Sequence, residues 1–186
     1  MEQFNQNFLE KITQQLYSAG IDISKYGVDK AKKMSDLAHE IESGESTLIE
    51  ENGELIRKVL VGGVDVYYQT PDGKKYILKE DKQVFEDGRE RKRKLQQSMA
   101  EKIKPNEDPA EATERGIVEE LGISGKIELQ KIRIDEEINE SPSYPGLKTK
   151  YVFHRFAFYM TEEQFKPEGY IEKQSDKETH FIWQEI

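Results

Sequence analysis

The sequence predicts an α+β protein in which several strands surround one internal helix and a pair of helices comes first. Apolar residues recur at helical spacing over roughly the first 45 residues. β-branched and aromatic residues dominate several stretches from Leu55 onward. A capped helical pattern starts at Asp108, between two such stretches. This order of elements is typical of a mixed α+β domain.

Length and composition limit the possible classes of protein. The chain has 186 residues, enough for one domain with a sizeable core and an appendage. The formal charge of −9 argues against general nucleic-acid binding, which needs a basic face. The absence of cysteine excludes disulfides and thiolate metal sites. No apolar run approaches the length of a bilayer span, and the N-terminus MEQFNQNFLEK lacks a signal-peptide core, so we expect a cytoplasmic protein that does not bind membranes.

Two amphipathic helices are predicted near the N-terminus. The first ends at Gly20 and the second at Gly44. Their apolar positions are Phe4, Phe8, Ile12 and Leu16 in the first helix, and Val28, Ala31, Met34, Leu37 and Ile41 in the second. Each apolar face must pack on other elements or on a partner chain. We therefore predict a helical extension over residues 1–48 and a main domain over residues 49–186.

The strands are predicted from runs of β-branched and aromatic residues. IRKVLVGGVDVYYQT and KKYILKE flank the turn PDG, which predicts a hairpin. The other strand-like segments are LQQSMAEKI, KIELQKIRIDEEI, KTKYVFHRFAFYM and HFIWQEI. The basic run RERKRK at residues 89–94 either attracts phosphate or protects a strand edge from pairing.

The internal helix is delimited by its capping residues. Asp108 is suited to cap its start, Pro109 to its first turn and Gly122 to its end. The residues expected to face the core are Ile117, Val118 and Leu121. Positions 115, 116, 119 and 120 line a different side of the helix, because residues three and four apart are neighbours.

Two adjacent carboxylates, Glu119 and Glu120, lie near the end of this helix, where the helix dipole disfavours negative charge. A solvated acidic surface is one interpretation. A divalent cation such as Mg²⁺ explains the cluster better, because hard cations take carboxylate oxygens and retain water. Gly116 lies on the same side although glycine is unfavourable inside a helix, so local stability does not explain it.

The stretch AEKIKPNEDPAEATERGIVEELGI resembles the Nudix box, written G-x5-E-x7-R-E-U-x-E-E-x-G-U with U a bulky aliphatic residue. The matching residues are Glu107, Arg115, Ile117, Glu119, Glu120, Gly122 and Ile123. Their spacing matches the pattern without gaps. The order of strands from residue 50 onward is also similar to that of the family, whereas the N-terminal helices lie outside the resemblance.

The resemblance implies a Nudix-like α/β/α sandwich with a mixed β-sheet. It further implies hydrolysis of a nucleoside diphosphate linked to another moiety, dependent on Mg²⁺ with Mn²⁺ as an alternative. Glu119 and Glu120 would be metal ligands, while Arg115 and Glu107 would orient them and hold the preceding loop. A homodimer is a further expectation, because dimers are common in similar proteins.

Two positions depart from the box. Glu101 replaces its first glycine, and Gly116 replaces the glutamate that should follow the arginine. In one interpretation Glu101 supplies the missing metal ligand from the neighbouring loop; in another it is an exposed loop acid. If the lost carboxylate is not replaced, the chain is a catalytically impaired domain that acts as a nucleotide-binding sensor or a protein-interaction scaffold.

Several residues outside the box have two interpretations. A further ligand or general base is expected among Glu136, Glu137 and Glu140, and the sequence does not choose among them. Tyr144 either stacks on a substrate base or packs within its own loop. The histidines are too scattered along the chain to predict a metal triad.

Overall fold

The computed structural model describes residues 6–92 and 97–186. In that part of the chain the helices are α1 Gln6–Ser18, α2 Met34–Glu42 and α3 Pro109–Leu121. The strands are β1 Thr47–Glu51, β2 Glu54–Gln69, β3 Lys75–Phe85, β4 Glu90–Arg91, β5 Met99–Lys102, β6 Leu129–Glu140, β7 Lys148–Tyr159, β8 Tyr170–Lys173 and β9 Lys177–Glu185. Phe4 of the first predicted helix lies outside the described residues, as do Arg93 and Lys94 of the basic run.

The nine strands form one sheet in the order β6-β7-β2-β3-β9-β8, with β1 and β5 also paired to β2 and β4 paired to β3. The predicted hairpin is confirmed, because β2 and β3 pair antiparallel from Tyr67 opposite Ile77 to Gln69 opposite Lys75. The turn between them contains Gly73, whose φ of 91° favours glycine. Helices together with this sheet confirm the predicted α+β class.

The chain divides into two compact units, each assembled from separate segments. The first comprises Met1–Leu60, Lys104–Asn106 and Asp135–Val152, and the second comprises Val61–Ile103, Glu107–Ile134 and Phe153–Ile186. The domain boundary expected between residues 48 and 49 stays a prediction. No helix in the described part of the chain is both long and apolar enough to cross a membrane.

The first unit buries one face of each N-terminal helix. Its core contains Ile12, Leu16 and Leu37 together with Tyr144 and Leu147. These helical residues match the faces predicted from sequence, so in the first unit the helices pack on their own chain.

The second helix begins later than its apolar spacing predicts. It starts at Met34, and Val28 is exposed in a turn. Gly27 and Asp29 have φ angles of 81° and 53°, which a right-handed helix cannot contain. The prediction that the helix includes Val28 is therefore wrong. The Lys33 N–H donates to the Asp36 carboxylate at 2.8 Å, which stabilises the actual start.

Tyr144 is fully buried in the first unit, so it does not stack on a substrate base. Its hydroxyl donates to Glu40 at 2.9 Å, and the Arg57 guanidinium lies 5.2 Å from its ring centroid. Glu40 also accepts from Arg57, and from Lys32 at 2.6 Å. Burial, followed by the Glu40 charge, raises the pKa of Tyr144 well above its usual value. The interpretation of Tyr144 as a packing residue is confirmed, but it packs against the N-terminal helices and not only within its own loop.

The second unit has its own core between α3 and the sheet. Its buried members include Ile117 and Leu121 of α3, as predicted, with strand residues such as Val64, Met99 and Phe158. Val118 differs from the prediction, because it is 46% exposed. The buried face of α3 determines which helix residues lie against β5 and which lie at the edge of the contact between α3 and β5.

Candidate functional site

Helix α3 begins and ends where its capping residues predict. The Asp108 carboxylate accepts from the Ala110 N–H at 2.8 Å, and Pro109 occupies the first turn. Gly122 has a φ of 62° and its N–H donates to the Val118 carbonyl at 3.0 Å. These local signals place the acidic end of the helix at a defined position.

A glycine in β2 allows the close approach of α3 to the sheet. A Cβ added to Gly62 would lie 2.3 Å from the Thr113 Oγ1 and 3.3 Å from the Pro109 carbonyl. The Thr113 hydroxyl is itself fixed, because it donates to the Pro109 carbonyl at 2.7 Å. Sequence reasoning missed this role of Gly62. The available signal was a glycine pair inside a β-branched run, which often marks close approach of another segment.

Arg115 joins α3 to the segment that precedes it. Its Nε and Nη2 donate to the two oxygens of Glu107 at 2.9 and 3.1 Å. Its Nη1 donates to Glu101 at 3.1 Å, and Nη2 also donates to the Lys102 carbonyl at 3.2 Å. The Glu107 hydrogen bonds raise the pKa of Arg115 above its usual value. A bidentate pair of this kind holds both partners in a fixed orientation.

The two adjacent glutamates have different surroundings. The Glu119 side chain is 59% exposed, and its Oε2 lies 3.5 Å from the Arg115 Nη1. Glu120 is half-buried and lines a narrow cleft between α3 and β5 that is too small to hold a water molecule. Glu101 and Gly116 line the same cleft. The structure therefore brings Glu120 together with Glu101, and Glu119 together with Arg115.

Glu101 and Gly116, the two departures from the box, lie side by side. Glu101 in β5 is opposite Gly62 in β2, on the face that α3 covers. A Cβ added to Gly116 would lie 3.0 Å from the Glu101 Cβ and 3.4 Å from its Cγ. The stem of Glu101 therefore occupies the space into which a side chain at position 116 would extend. The change at each position accommodates the change at the other.

The carboxylates that border this cleft are of the chemical kind that magnesium takes. No three acidic, histidine or cysteine side chains converge on a ready-made metal site within residues 6–92 and 97–186. Glu101 and Glu120 nevertheless line one cleft. Magnesium is commonly bound by one or two protein carboxylates, with water and substrate phosphates as the remaining ligands. This donor set is compatible with such an ion.

Other residues singled out from the sequence lie elsewhere. Glu136, Glu137 and Glu140 are on β6 and belong to the first unit. Glu136 forms an ion pair with Lys150 at 3.0 Å. The structure does not place any of the three in the cleft beside α3.

The described part of the basic run lies along β4 and the turn before it. Arg89 forms an ion pair with Asp87 at 2.6 Å, and Arg91 donates to Gln83 at 2.9 Å. Both contacts are with neighbouring protein groups. They favour the interpretation of this run as a charged strand edge over that of a phosphate site.

Among known proteins, the chain is similar only in structure, to several solved structures. No protein-family model and no curated protein matches the chain. It is similar to an Ap4A hydrolase of C. elegans in a binary complex, with 14% identity, 68% of this chain and 80% of that chain covered, and a TM-score of 0.42. It is also similar to a MutT/nudix family protein from Enterococcus faecalis, with 12% identity, 98% and 57% covered, and a TM-score of 0.47. For RenU, a Nudix hydrolase from M. smegmatis, the identity is 12%, the coverage 73% and 76%, and the TM-score 0.37.

Identities and TM-scores this low transfer no activity, substrate or metal to the chain. The case for a function therefore rests on the motif around α3 and on its contacts. The chain resembles the Nudix family in its α3 motif.

Proposed function

We propose that the chain hydrolyses a nucleoside diphosphate linked to another moiety, with Mg²⁺ or Mn²⁺ as cofactor. The observation that carries this proposal is the contact between Glu101 and Gly116. A chain that had simply lost the box glutamate would leave the cleft without that carboxylate. Here the Cβ and Cγ of Glu101 occupy the space beside Gly116, and the Glu101 carboxylate accepts from the Arg115 Nη1, so β5 supplies a carboxylate next to α3.

Glu101 of β5 and Glu120 of α3, which border the same cleft, are proposed to hold the cation. Glu119 contributes charge at its rim, next to Arg115. When bound, Mg²⁺ neutralises phosphate charge and lowers the pKa of coordinated water. The half-buried position of Glu120 suits this role, because a carboxylate that is partly shielded from bulk water attracts a cation more strongly.

Arg115 and Glu107 are proposed as positioning residues. The bidentate pair fixes the start of the segment that leads into α3, and the Arg115 Nη1 holds one oxygen of Glu101. Such hydrogen bonds orient a metal-binding carboxylate before the cation arrives. Arg115 would therefore set the geometry of the cleft without contacting the substrate.

The proposal is tested by measuring the formation of nucleoside monophosphate from a panel of nucleoside diphosphates linked to a second moiety, with and without Mg²⁺ or Mn²⁺. We expect turnover that chelation by EDTA abolishes. Glu101→Gln and Glu120→Gln should each lower kcat/KM by roughly a hundredfold or more, because each removes one proposed ligand charge. Glu114→Gln is the matched control, because it neutralises an exposed carboxylate on the same helix.

Calorimetric titration with Mg²⁺ and a non-hydrolysable diphosphate separates hydrolysis from binding alone. Metal uptake that depends on Glu101 and Glu120, combined with no turnover of any substrate, would contradict hydrolysis and favour a nucleotide sensor. Turnover that survives Glu120→Gln unchanged would place the chemistry elsewhere.

A further inference from the structure

The loop that leads into α3 contains residues of both units. Residues 104–106 belong to the first unit, whereas Ile103 and Glu107 on either side of them belong to the second. Arg115 holds both ends of this loop, because it donates to the Lys102 carbonyl at 3.2 Å and to the Glu107 carboxylate at 2.9 Å. The middle of the loop is therefore positioned by contacts in the first unit.

Pro105 and Asn106 form a turn in the middle of this loop. Asn106 has a φ of 62°. Proline at the first central position and asparagine with a positive φ at the second are typical of a type II β-turn. Proline also restricts the backbone, because its ring fixes φ. The local sequence therefore places the Pro105 ring at a defined corner of the loop.

A glycine at the end of α2 packs against this proline ring. Gly44 has a φ of 76°, and its N–H donates to the Ile41 carbonyl at 3.1 Å. A Cβ added to Gly44 would overlap the Pro105 Cγ and lie 3.2 Å from the Pro105 Cβ. Both residues belong to the first unit. The end of α2 therefore leaves room for the Pro105 ring only because residue 44 has no side chain.

The glycine at the end of α1 has no such neighbour. Gly20 has a φ of 74°, nearly the same as Gly44, but a Cβ added to Gly20 would meet no atom of the described residues within 4 Å. Glycine after a helix commonly serves the left-handed backbone conformation alone. At Gly44 the backbone conformation and the contact with Pro105 both require glycine.

We infer that the N-terminal helices position the loop that carries Glu107, through the contact of Gly44 with Pro105. The inference rests on the proposed function, in which Glu107 and Arg115 orient the carboxylates beside α3. Glu107 is two residues from Pro105, so at most about 7 Å of chain separates the contact from that carboxylate's backbone. Displacements of about 1 Å in a site can greatly slow a reaction. The helical extension, which lies outside the resemblance to the Nudix box, thereby acquires a role in the proposed reaction.

The first experiment measures the exchange of the Arg115 Nε proton with water by NMR on the full chain. This proton is hydrogen-bonded to Glu107, so its exchange rate reports on the loop without any requirement for catalysis. Gly44→Ala should speed exchange by roughly fivefold or more, because the added methyl displaces the Pro105 ring. Gly20→Ala is the matched control, since it places alanine at nearly the same φ after the other helix. It should leave the exchange rate unchanged.

The second experiment measures the binding of Mg²⁺ alone by calorimetry. Gly44→Ala should weaken binding by roughly threefold or more, because residues that orient metal-binding carboxylates contribute to metal affinity. Gly20→Ala should bind Mg²⁺ as the wild type does. This pair of variants separates positioning of the loop from a general loss of stability, because both substitutions place alanine at a positive φ.

A third comparison uses Pro105→Ala, which removes the ring atoms that the new methyl would overlap. Alone, it should speed exchange of the Arg115 Nε proton, because the loop loses its contact with α2. In the double variant Gly44→Ala/Pro105→Ala, the Gly44 substitution should add little further effect, because residues in contact are not additive. If Gly44→Ala does not fold, Pro105→Ala alone decides the inference.

Three results would overturn the inference while circular dichroism shows the variants folded. Gly44→Ala and Gly20→Ala have the same Arg115 exchange rate. The effects of Gly44→Ala and Pro105→Ala simply add. Pro105→Ala exchanges as slowly as the wild type. A wild type that neither binds Mg²⁺ nor turns over any substrate contradicts the proposed function instead, and the exchange rates still decide whether α2 positions the loop.

Discussion

At the scale of single residues, Glu101 and Gly116 behave as one unit. The strand residue extends into the space that the helix residue leaves, with 3.0 Å between the Glu101 Cβ and a Cβ built on Gly116. Contacts between Cβ atoms at this distance are tighter than ordinary packing, so the two positions cannot be changed independently. The low helix propensity of glycine is offset by the neighbour that glycine permits.

A double-mutant cycle tests this coupling. Gly116→Glu alone forces a second side chain, also acidic, against Glu101. The double variant Glu101→Gly/Gly116→Glu restores the family arrangement and should remove that conflict. We expect a coupling energy of about 1–3 kcal/mol in urea unfolding, and more turnover in the double variant than in either single variant. If the effects of the two substitutions on stability and on turnover were simply additive, the two side chains would not share one space.

At the scale of elements, the docking of α3 on β2 and β5 positions the cleft. Gly62 determines this distance, because the Thr113 hydroxyl lies where its side chain would begin. Arg115 then ties the segment before the helix to the helix itself. The cleft therefore depends on two features outside the carboxylates, namely a close approach and a bidentate ion pair.

Gly62→Ala should destabilise the protein by about 1–3 kcal/mol, because the added methyl overpacks the interface between β2 and α3. Urea unfolding of purified protein measures the change. Gly63→Ala is the matched control, since a Cβ there would have its nearest neighbour, the Arg155 Nη1, at 3.5 Å.

The Gly62→Ala defect should be relieved in part by Thr113→Ala, which removes the hydroxyl that the new methyl meets. Equal destabilisation by Gly62→Ala and Gly63→Ala would contradict a specific close approach at residue 62.

The elements and motifs that depend on local signals were predicted well. Asp108 and Gly122 delimit α3 because capping is decided within one turn of chain. The contact between Glu101 and Gly116 depends on the strand register that places Glu101 opposite Gly62. This register joins two segments that are distant in sequence. Sequence reasoning could propose that the two residues exchange roles, but it could not place them together.

The start of α2 was predicted wrongly for a local reason. Val28 continues the apolar spacing of the helix, while the positive φ at Asp29 interrupts it. Apolar spacing reports which residues would share a face if the segment were helical, and it does not report backbone conformation. An aspartate in the left-handed region is uncommon, so the sequence carried little warning.

At the scale of the whole molecule, each compact unit joins segments that are distant in sequence. In the first unit, the N-terminal helices and residues 135–152 share a buried polar network around Glu40. A buried carboxylate requires several donors, and here Arg57, Lys32 and Tyr144 supply them. This network ties the N-terminal helices to their own unit.

Tyr144→Phe should lower the free energy of unfolding by about 1–3 kcal/mol, because Glu40 stays buried after it loses one donor. Chemical denaturation monitored by circular dichroism measures the change. Tyr159→Phe, at an exposed tyrosine, should change stability by less than about 0.5 kcal/mol. Equal effects from the two substitutions would mean that the Tyr144 hydroxyl contributes nothing specific.

The contact between Glu101 and Gly116 also affects how a sequence search would recognise the resemblance of this chain to the Nudix box. A linear pattern counts two mismatches in this chain, at two positions that lie next to each other in the folded molecule. A search profile that scored the two positions jointly, accepting an acid at one when the other is glycine, would count the pair as a match. Chains with an acidic residue at the first position and glycine at the second would then be grouped by the spatial arrangement of these residues instead of by their linear sequence pattern.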